Sequence, residues 1–235
     1  MDLGIKKMKF LLTTLTQFTV LLLLAFSSFA VFSQDKQSIK KINVIPYDIA
    51  INEQGGSITV LPEKITIIAN KGTDLFTNTT GDKSVDKSPR VLFEPRGDFI
   101  FSAKVSGDFT TAYSGGALMV YVNGQHWAKL LFERFKSGHN GIATTVTSTT
   151  GDDAYHGTQQ AQSYYLKIAR HDTSYVFYTS KNGQDWNFER HFSLEKNTQV
   201  HIGFTAQSPL AEAQQVTFTN IEFKGERFKN YWQGL

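Results

Sequence analysis

Trp127, Lys129 and Glu133 stand at alternate positions of one run, SGGALMVYVNGQHWAKLLFE (residues 114–133), so an extended backbone would place them on one face. An indole can stack on the apolar face of a sugar ring, and an ammonium and a carboxylate can hydrogen-bond its rim. Asn123-Gly124 in the middle of the run is a strong hairpin signal, because both central positions of a type I′ turn need φ > 0. A two-residue loop there pairs Val122 with Gln125, Tyr121 with His126 and Val120 with Trp127. One face then carries Leu118, Val120, Val122, Gln125, Trp127, Lys129, Leu131 and Glu133. The other carries Met119, Tyr121, His126, Ala128, Leu130, Phe132 and Arg134. The blander account is a half-buried Trp beside solvated Lys and Glu side chains.

Other chemistries need other sets. Glycoside hydrolysis needs two carboxyl groups flanking one bond. The Glu-x-Asp-x-x-Glu strand that would put both on one face is absent, which leaves Glu133 with Asp152 or Asp153. That pairing requires the 148–157 loop to fold over the hairpin; the alternative is that both Asp simply start a turn. A polysaccharide lyase would use a His or Tyr base with a cationic neutraliser, for which His126, Tyr178 and Arg190 are the candidates. The six His show no His-x-x-x-His spacing and there is no Cys, so no zinc site is expected; Asp152-Asp153 lacks a calcium-loop signature. Neither a Gly-x-Ser-x-Gly elbow nor a phosphate-cradling glycine loop is present. No metal and no cofactor are expected.

The elements that must position these residues begin after a leader. Lys6, Lys7 and Lys9 precede an apolar run, and Val31-Phe32-Ser33 before Gln34 fits the small-residue cleavage rule, so residues 1–33 read as a secretory signal peptide. The protein is then exported, periplasmic or extracellular, with no stable membrane anchor after cleavage. The leader holds three Lys and one Asp, so the remainder keeps 21 basic and 20 acidic residues, a balance of about +1. Such a chain lacks the basic stripe that nucleic acid demands. With no cysteine there is no disulfide framework, and the core alone must hold the fold.

Residues 34–41 are polar and read as a flexible arm; order is expected from Ile42. Short alternating strands follow, broken at Gly55-Gly56 and Pro62, and residues 78–89 read as a loop. Phe99, Phe101, Ala103 and Val105 alternate toward a core, as do Tyr164, Leu166 and Ile168, and Val200, Ile202, Phe204 and Ala206. Turns are expected at His171-Asp172 and at Asn182-Gly183, with Trp186 just beyond. Tyr231 and Trp232 lie in a short tail that could plug the sandwich edge. Many short strands with almost no helix predict a single all-β domain over 42–235, an antiparallel two-sheet sandwich whose polar faces line a concave groove.

From about Gly72 to Lys224 the sequence resembles the family often labelled "regulation of enolase protein 1", a family of uncharacterised function in the concanavalin A-like lectin/glucanase superfamily. GTDLF at 72–76, the 115–133 hairpin, VTSTTGDDA at 146–154, YTSKNGQDW at 178–186 and HIGFTAQSP at 201–209 carry the resemblance. It implies a jelly-roll sandwich and little about activity. Where the family usually has Asp before the Gly of the central hairpin, this chain has Ser114, which cannot serve as a carboxylate ligand or base. Three function classes remain. One is a carbohydrate-binding, lectin-like protein with Trp127 as platform and Lys129, Glu133, Tyr178, Arg190 and Gln207 around it. The second is a glycan-processing hydrolase or lyase using Glu133 with Asp152 and Asp153. The third is a structural or adhesive sandwich without a small ligand.

Overall fold

The computed structural model describes residues 41–194 and 199–235. The expected signal peptide, and the expected arm apart from Lys41, lie outside the described residues. Sixteen strands follow in chain order: β1 Ile49–Asn52, β2 Gly56–Leu61, β3 Lys64–Asn70, β4 Asp74–Thr77, β5 Ser84–Lys87, β6 Arg90–Phe93, β7 Phe99–Ser106, β8 Gly115–Asn123, β9 His126–Arg134, β10 Asn140–Ser148, β11 Thr150–Gln159, β12 Ser163–His171, β13 Ser174–Ser180, β14 Asn187–Ser193, β15 His201–Gln207 and β16 Ala213–Lys224. Two seven-stranded antiparallel sheets form a β-sandwich: β1-β6-β15-β8-β9-β10-β11 and β14-β13-β12-β7-β16-β3-β2. A separate hairpin pairs β4 with β5.

The inner faces meet in one core. Phe99, Phe101, Ala103 and Val105 of β7, Leu166 and Ile168 of β12, and Ile202 and Phe204 of β15 are fully buried there, as the alternation predicts. Phe93, Phe101, Phe204 and Phe218 form a chain of edge-to-face rings with centroids 5.1 to 5.3 Å apart. That geometry suits the ring quadrupoles and adds to burial.

The central hairpin is where the expected register fails. Tyr121 pairs with Trp127 and Asn123 with His126, with a bulge between Tyr121 and Asn123. The loop is therefore Gly124-Gln125. Neither Asn123 nor Gly124 has a positive φ. Instead the Asn123 side-chain oxygen accepts the N–H groups of Gln125 at 2.9 Å and His126 at 3.0 Å, so this Asn closes the turn with its side chain rather than with a left-handed backbone. The slip of one residue exchanges the faces of β8. Leu118 and Val120 join Ala128, Leu130 and Phe132 in the core, while Met119 and Tyr121 share the outer face with Trp127. The faces of β9 stand as expected.

Two expected loops are strands. The Asn78–Pro89 stretch contains β5, which folds back on β4. The 148–157 stretch belongs mostly to β11, which turns back on β10 about Thr149 with φ of 67°. The His171-Asp172 turn is displaced by one residue, with Asp172 itself at φ of 53° between β12 and β13.

A pocket on the outer face of the first sheet

The outer face of β9 carries Trp127, Lys129, Leu131 and Glu133 in a row, opposite Tyr121, Met119, Ala117 and Gly115 of β8. The β4–β5 hairpin roofs the Trp127 end. Leu75 packs on Trp127 and Met119, and Leu92 and Tyr121 close the sides. Asp86 of β5 anchors that roof, accepting a bond from Tyr121 Oη at 2.9 Å and pairing with Arg90, whose guanidinium lies 4.8 Å from the Tyr121 ring centroid. Trp127 is thus fully buried and its Nε1 has no hydrogen-bond partner. It offers no ring to a ligand, contrary to the sequence expectation, because Leu75 of β4, held in place by pairing with β5, packs over it.

Beyond the roof the row opens into a pocket of about 350 Å³ lined by Asp74, Phe76, Tyr113, Lys129, Leu131, Glu133, Ala143, Thr145, Asp153, Tyr155, Gln207 and Pro209. Lys129 is buried, and its ammonium donates to Leu75 O at 2.7 Å, Gln207 Oε1 at 2.8 Å and Asp74 Oδ1 at 3.4 Å. Those bonds fasten β9 to the roof and to β15. Gln207 in turn donates through Nε2 to Tyr113 O at 2.9 Å and to Glu133 Oε2 at 3.4 Å. Lys129 and Gln207 therefore act as scaffold for Glu133, which is 3% exposed.

Burial pushes the Glu133 carboxyl up to about 8; the Lys129 ammonium opposes this, and the charges of Asp74 and Asp153 add to it. Gly115 makes room for this residue. A Cβ there would lie 2.5 Å from Phe132 O and 2.6 Å from Glu133 Cβ. Tyr113, at the pocket wall, has φ of 66°, an unfavoured conformation for a bulky residue. Its N–H donates to Arg134 O at 2.6 Å and its carbonyl holds Gln207, so the strained backbone is fixed from both sides.

β11 supplies the opposite wall. Asp153 pairs with Thr145 and accepts the Thr145 hydroxyl. Tyr155, on the same face of β11, is 63% exposed and meets Phe135 edge-on at 5.1 Å. Burial, then the Glu133 and Asp153 charges, raise the Tyr155 phenol above its ordinary value. Tyr155 and Tyr113 were missed in the sequence. Once 150–159 is recognised as a strand, the i, i+2 spacing of Asp153 and Tyr155 places both on one face.

The remaining candidates lie elsewhere. Asp152 points away from Asp153, since successive strand residues alternate, and pairs with Arg190 at 2.7 Å. Arg190 also reaches Asp152 O and Thr144 Oγ1, so it ties β14 of one sheet to β10 and β11 of the other. Tyr178 is buried in the second sheet, donating to Tyr231 O at 2.5 Å under the C-terminal tail. His126 sits at the hairpin turn against Asn123. The lyase set of His126, Tyr178 and Arg190 is therefore scattered. Of the hydrolase set, Glu133 and Asp153 share the pocket and Asp152 does not. Ser114 is buried beside Gly115, its Oγ without a partner. Among the described residues no group of three or more His, Asp or Glu could hold a metal ion, and no helix is long and apolar enough to cross a membrane.

A family model described as "Protein of unknown function (DUF1349)" matches residues 53–226. No curated protein matches the chain. Among solved structures, a functionally unknown protein from Saccharomyces cerevisiae is 19% identical with a TM-score of 0.68, covering 75% of this chain and 95% of that one. A Bacteroides ovatus protein titled "Xyloglucan PUL GH43B" is 16% identical with a TM-score of 0.60, covering 79% of this chain and 38% of that one. The xylan beta-1,4-xylosidase of Bacillus halodurans is 11% identical with a TM-score of 0.55, covering 74% of this chain and 38% of that one. This chain spans well under half of the latter two proteins, and at such identities the likeness is one of fold.

Proposed function

This chain belongs to the family described as "Protein of unknown function (DUF1349)", the concanavalin A-like "regulation of enolase protein 1" type, and on that premise we propose that its outer-face pocket binds a sugar. The observation that carries the proposal is the pocket's composition. An exposed Tyr155 ring stands beside the carboxyl groups of Glu133 and Asp153 in a cleft of about 350 Å³. An aromatic face with a few convergent polar groups matches the apolar faces and hydroxyl rim of a pyranose. Tyr155 takes the stacking role the sequence assigned to Trp127. The two neighbours named for xyloglucan and xylan share the sandwich and add no residue-level support. The leader of residues 1–33 is taken as a secretory signal, so the pocket meets its glycan outside the cytoplasm.

Retardation of the purified protein in gels loaded with a panel of polysaccharides tests this. At least one glycan should retard it, and Tyr155→Ala should weaken that interaction by roughly 30-fold, as loss of an aromatic anchor does. Tyr155 is exposed, so the variant keeps its fold. Unretarded migration on every glycan would refute the proposal.

A second reading, glycan cleavage, is favoured by one observation: Glu133 holds its proton to about pH 8 within the charge influence of Asp153. A protonated carboxyl beside a carboxylate is the equipment of a general acid with its partner. Glu133→Gln would then reduce product release by roughly 100-fold or more, whereas a binder would lose a small part of its affinity.

A further inference from the structure

We infer that the sugar seated in this pocket carries a positive charge, as a hexosamine with a free amine does; the inference rests on the sugar-binding reading above. The acidic side chains lining the pocket are Asp74, Glu133 and Asp153, and the one basic side chain is Lys129. Lys129 has no donor to spare, since its three N–H groups serve Leu75, Gln207 and Asp74. A sugar carboxylate would therefore find no cation free to pair with it. It would also add a further negative charge to a desolvated site.

The acceptors, by contrast, are open. Glu133 receives one long bond from Gln207 on Oε2, and its Oε1 bonds nothing among the described residues. Asp153 uses one oxygen on Thr145 and leaves the other to the pocket. Glu133 is 3% exposed and lines the pocket, so its free oxygen has little water around it and faces the cleft. Glu133 and Asp153 line the same pocket, so one ligand seated there meets both carboxyl groups. An ammonium in the pocket donates to each and, as a positive charge, favours the ionised form of Glu133 over the protonated one. The exposed Tyr155 face on the same wall adds a cation–π contact. An acylated nitrogen or a hydroxyl at that point supplies a donor without the charge.

The test is calorimetric titration of the protein with a de-N-acetylated chito-oligosaccharide, its N-acetylated counterpart, a uronate oligosaccharide and 1,6-diaminohexane. The amine oligosaccharide should bind at least about tenfold more tightly than the acetylated one, in keeping with a charge-assisted hydrogen bond. Glu133→Gln and Asp153→Asn, both of which keep the side-chain shape, should abolish the preference. If the acetylated or uronate oligosaccharide binds as well or better and Tyr155→Ala removes that binding, the inference is overturned while the sugar reading stands. Diaminohexane binding as tightly as the amino sugar would also overturn it, because charge alone would then suffice. If none of the oligosaccharides binds, the inference fails, and the polysaccharide gels decide separately whether the sugar reading fails with it.

Discussion

Replacing Glu133 by Gln should stabilise the protein, and the gain should grow with pH. The buried carboxyl holds its proton to about pH 8, against an ordinary value of 4.5. Below pH 4.5 folded and unfolded chains are both protonated at this residue, and it contributes no pH dependence. Between 4.5 and 8 the folded state keeps a proton that the unfolded state releases, so rising pH favours unfolding by about 1.4 kcal/mol per pH unit. Near pH 7 the penalty is roughly 3 kcal/mol, levelling at roughly 5 kcal/mol above pH 8. Gln matches the shape, stays neutral and can still accept the bond from Gln207 Nε2. For a domain of this size 1 kcal/mol moves the midpoint by about 2–4 °C, so Glu133→Gln should melt roughly 6–12 °C higher at pH 7 and almost level with the parent at pH 4.5. Urea or thermal melts of both proteins from pH 4 to 9 measure the difference directly. Parallel stability curves across that range would refute the burial argument.

The other predictions concern positioning. Trp127→Phe should cost about 1 kcal/mol, since the indole N–H it removes has no partner, whereas Trp127→Ala should cost about 3–5 kcal/mol by leaving a cavity under the roof; urea melts separate the two. Gly115→Ala should displace Glu133, because the new methyl would collide with Phe132 O and Glu133 Cβ, and so lower glycan affinity more than Glu133→Gln does in the same gels. Lys167, under the C-terminal tail, donates to Gln233 O at 3.1 Å and Gly234 O at 2.9 Å and lies 3.8 Å from the Trp186 ring centroid. Burial, then the Lys224 charge, lowers its ammonium to about 7. A released Lys167 would hold its proton up to about 10.5, so tail docking should strengthen as pH rises from 7 to 10.5 and be weakest below 7. Carboxypeptidase digestion should accordingly slow across that window.

Where apolar alternation was unbroken, the sequence was enough: β7, β12 and β15 bury the residues their period of two predicts. The failures have one cause, polar residues with more than one use. Asn123 closes its turn with a side chain, so the turn chemistry was read correctly in kind and wrongly in register. Thr, Ser and Asp in residues 78–89 and 148–157 look like loop composition, yet they build β5 and β11, because edge and roof strands with a wet face need few apolar residues. Those two strands decide the site. One buries Trp127 by holding the roof, and the other delivers Asp153 and Tyr155. Lys129, Glu133 and Gln207 were legible as a group because β9 and β15 have plain alternation, but their bonds to one another, which make two of them scaffold, depend on contacts distant in sequence.

The most direct test of the central claim is gel retardation of the parent protein beside Tyr155→Ala and Trp127→Phe, across the same polysaccharide panel. The account predicts retardation by at least one glycan, lost in Tyr155→Ala and kept in Trp127→Phe. Retardation that survives Tyr155→Ala, or that disappears in a well-folded Trp127→Phe, would contradict the placement of the sugar in this pocket.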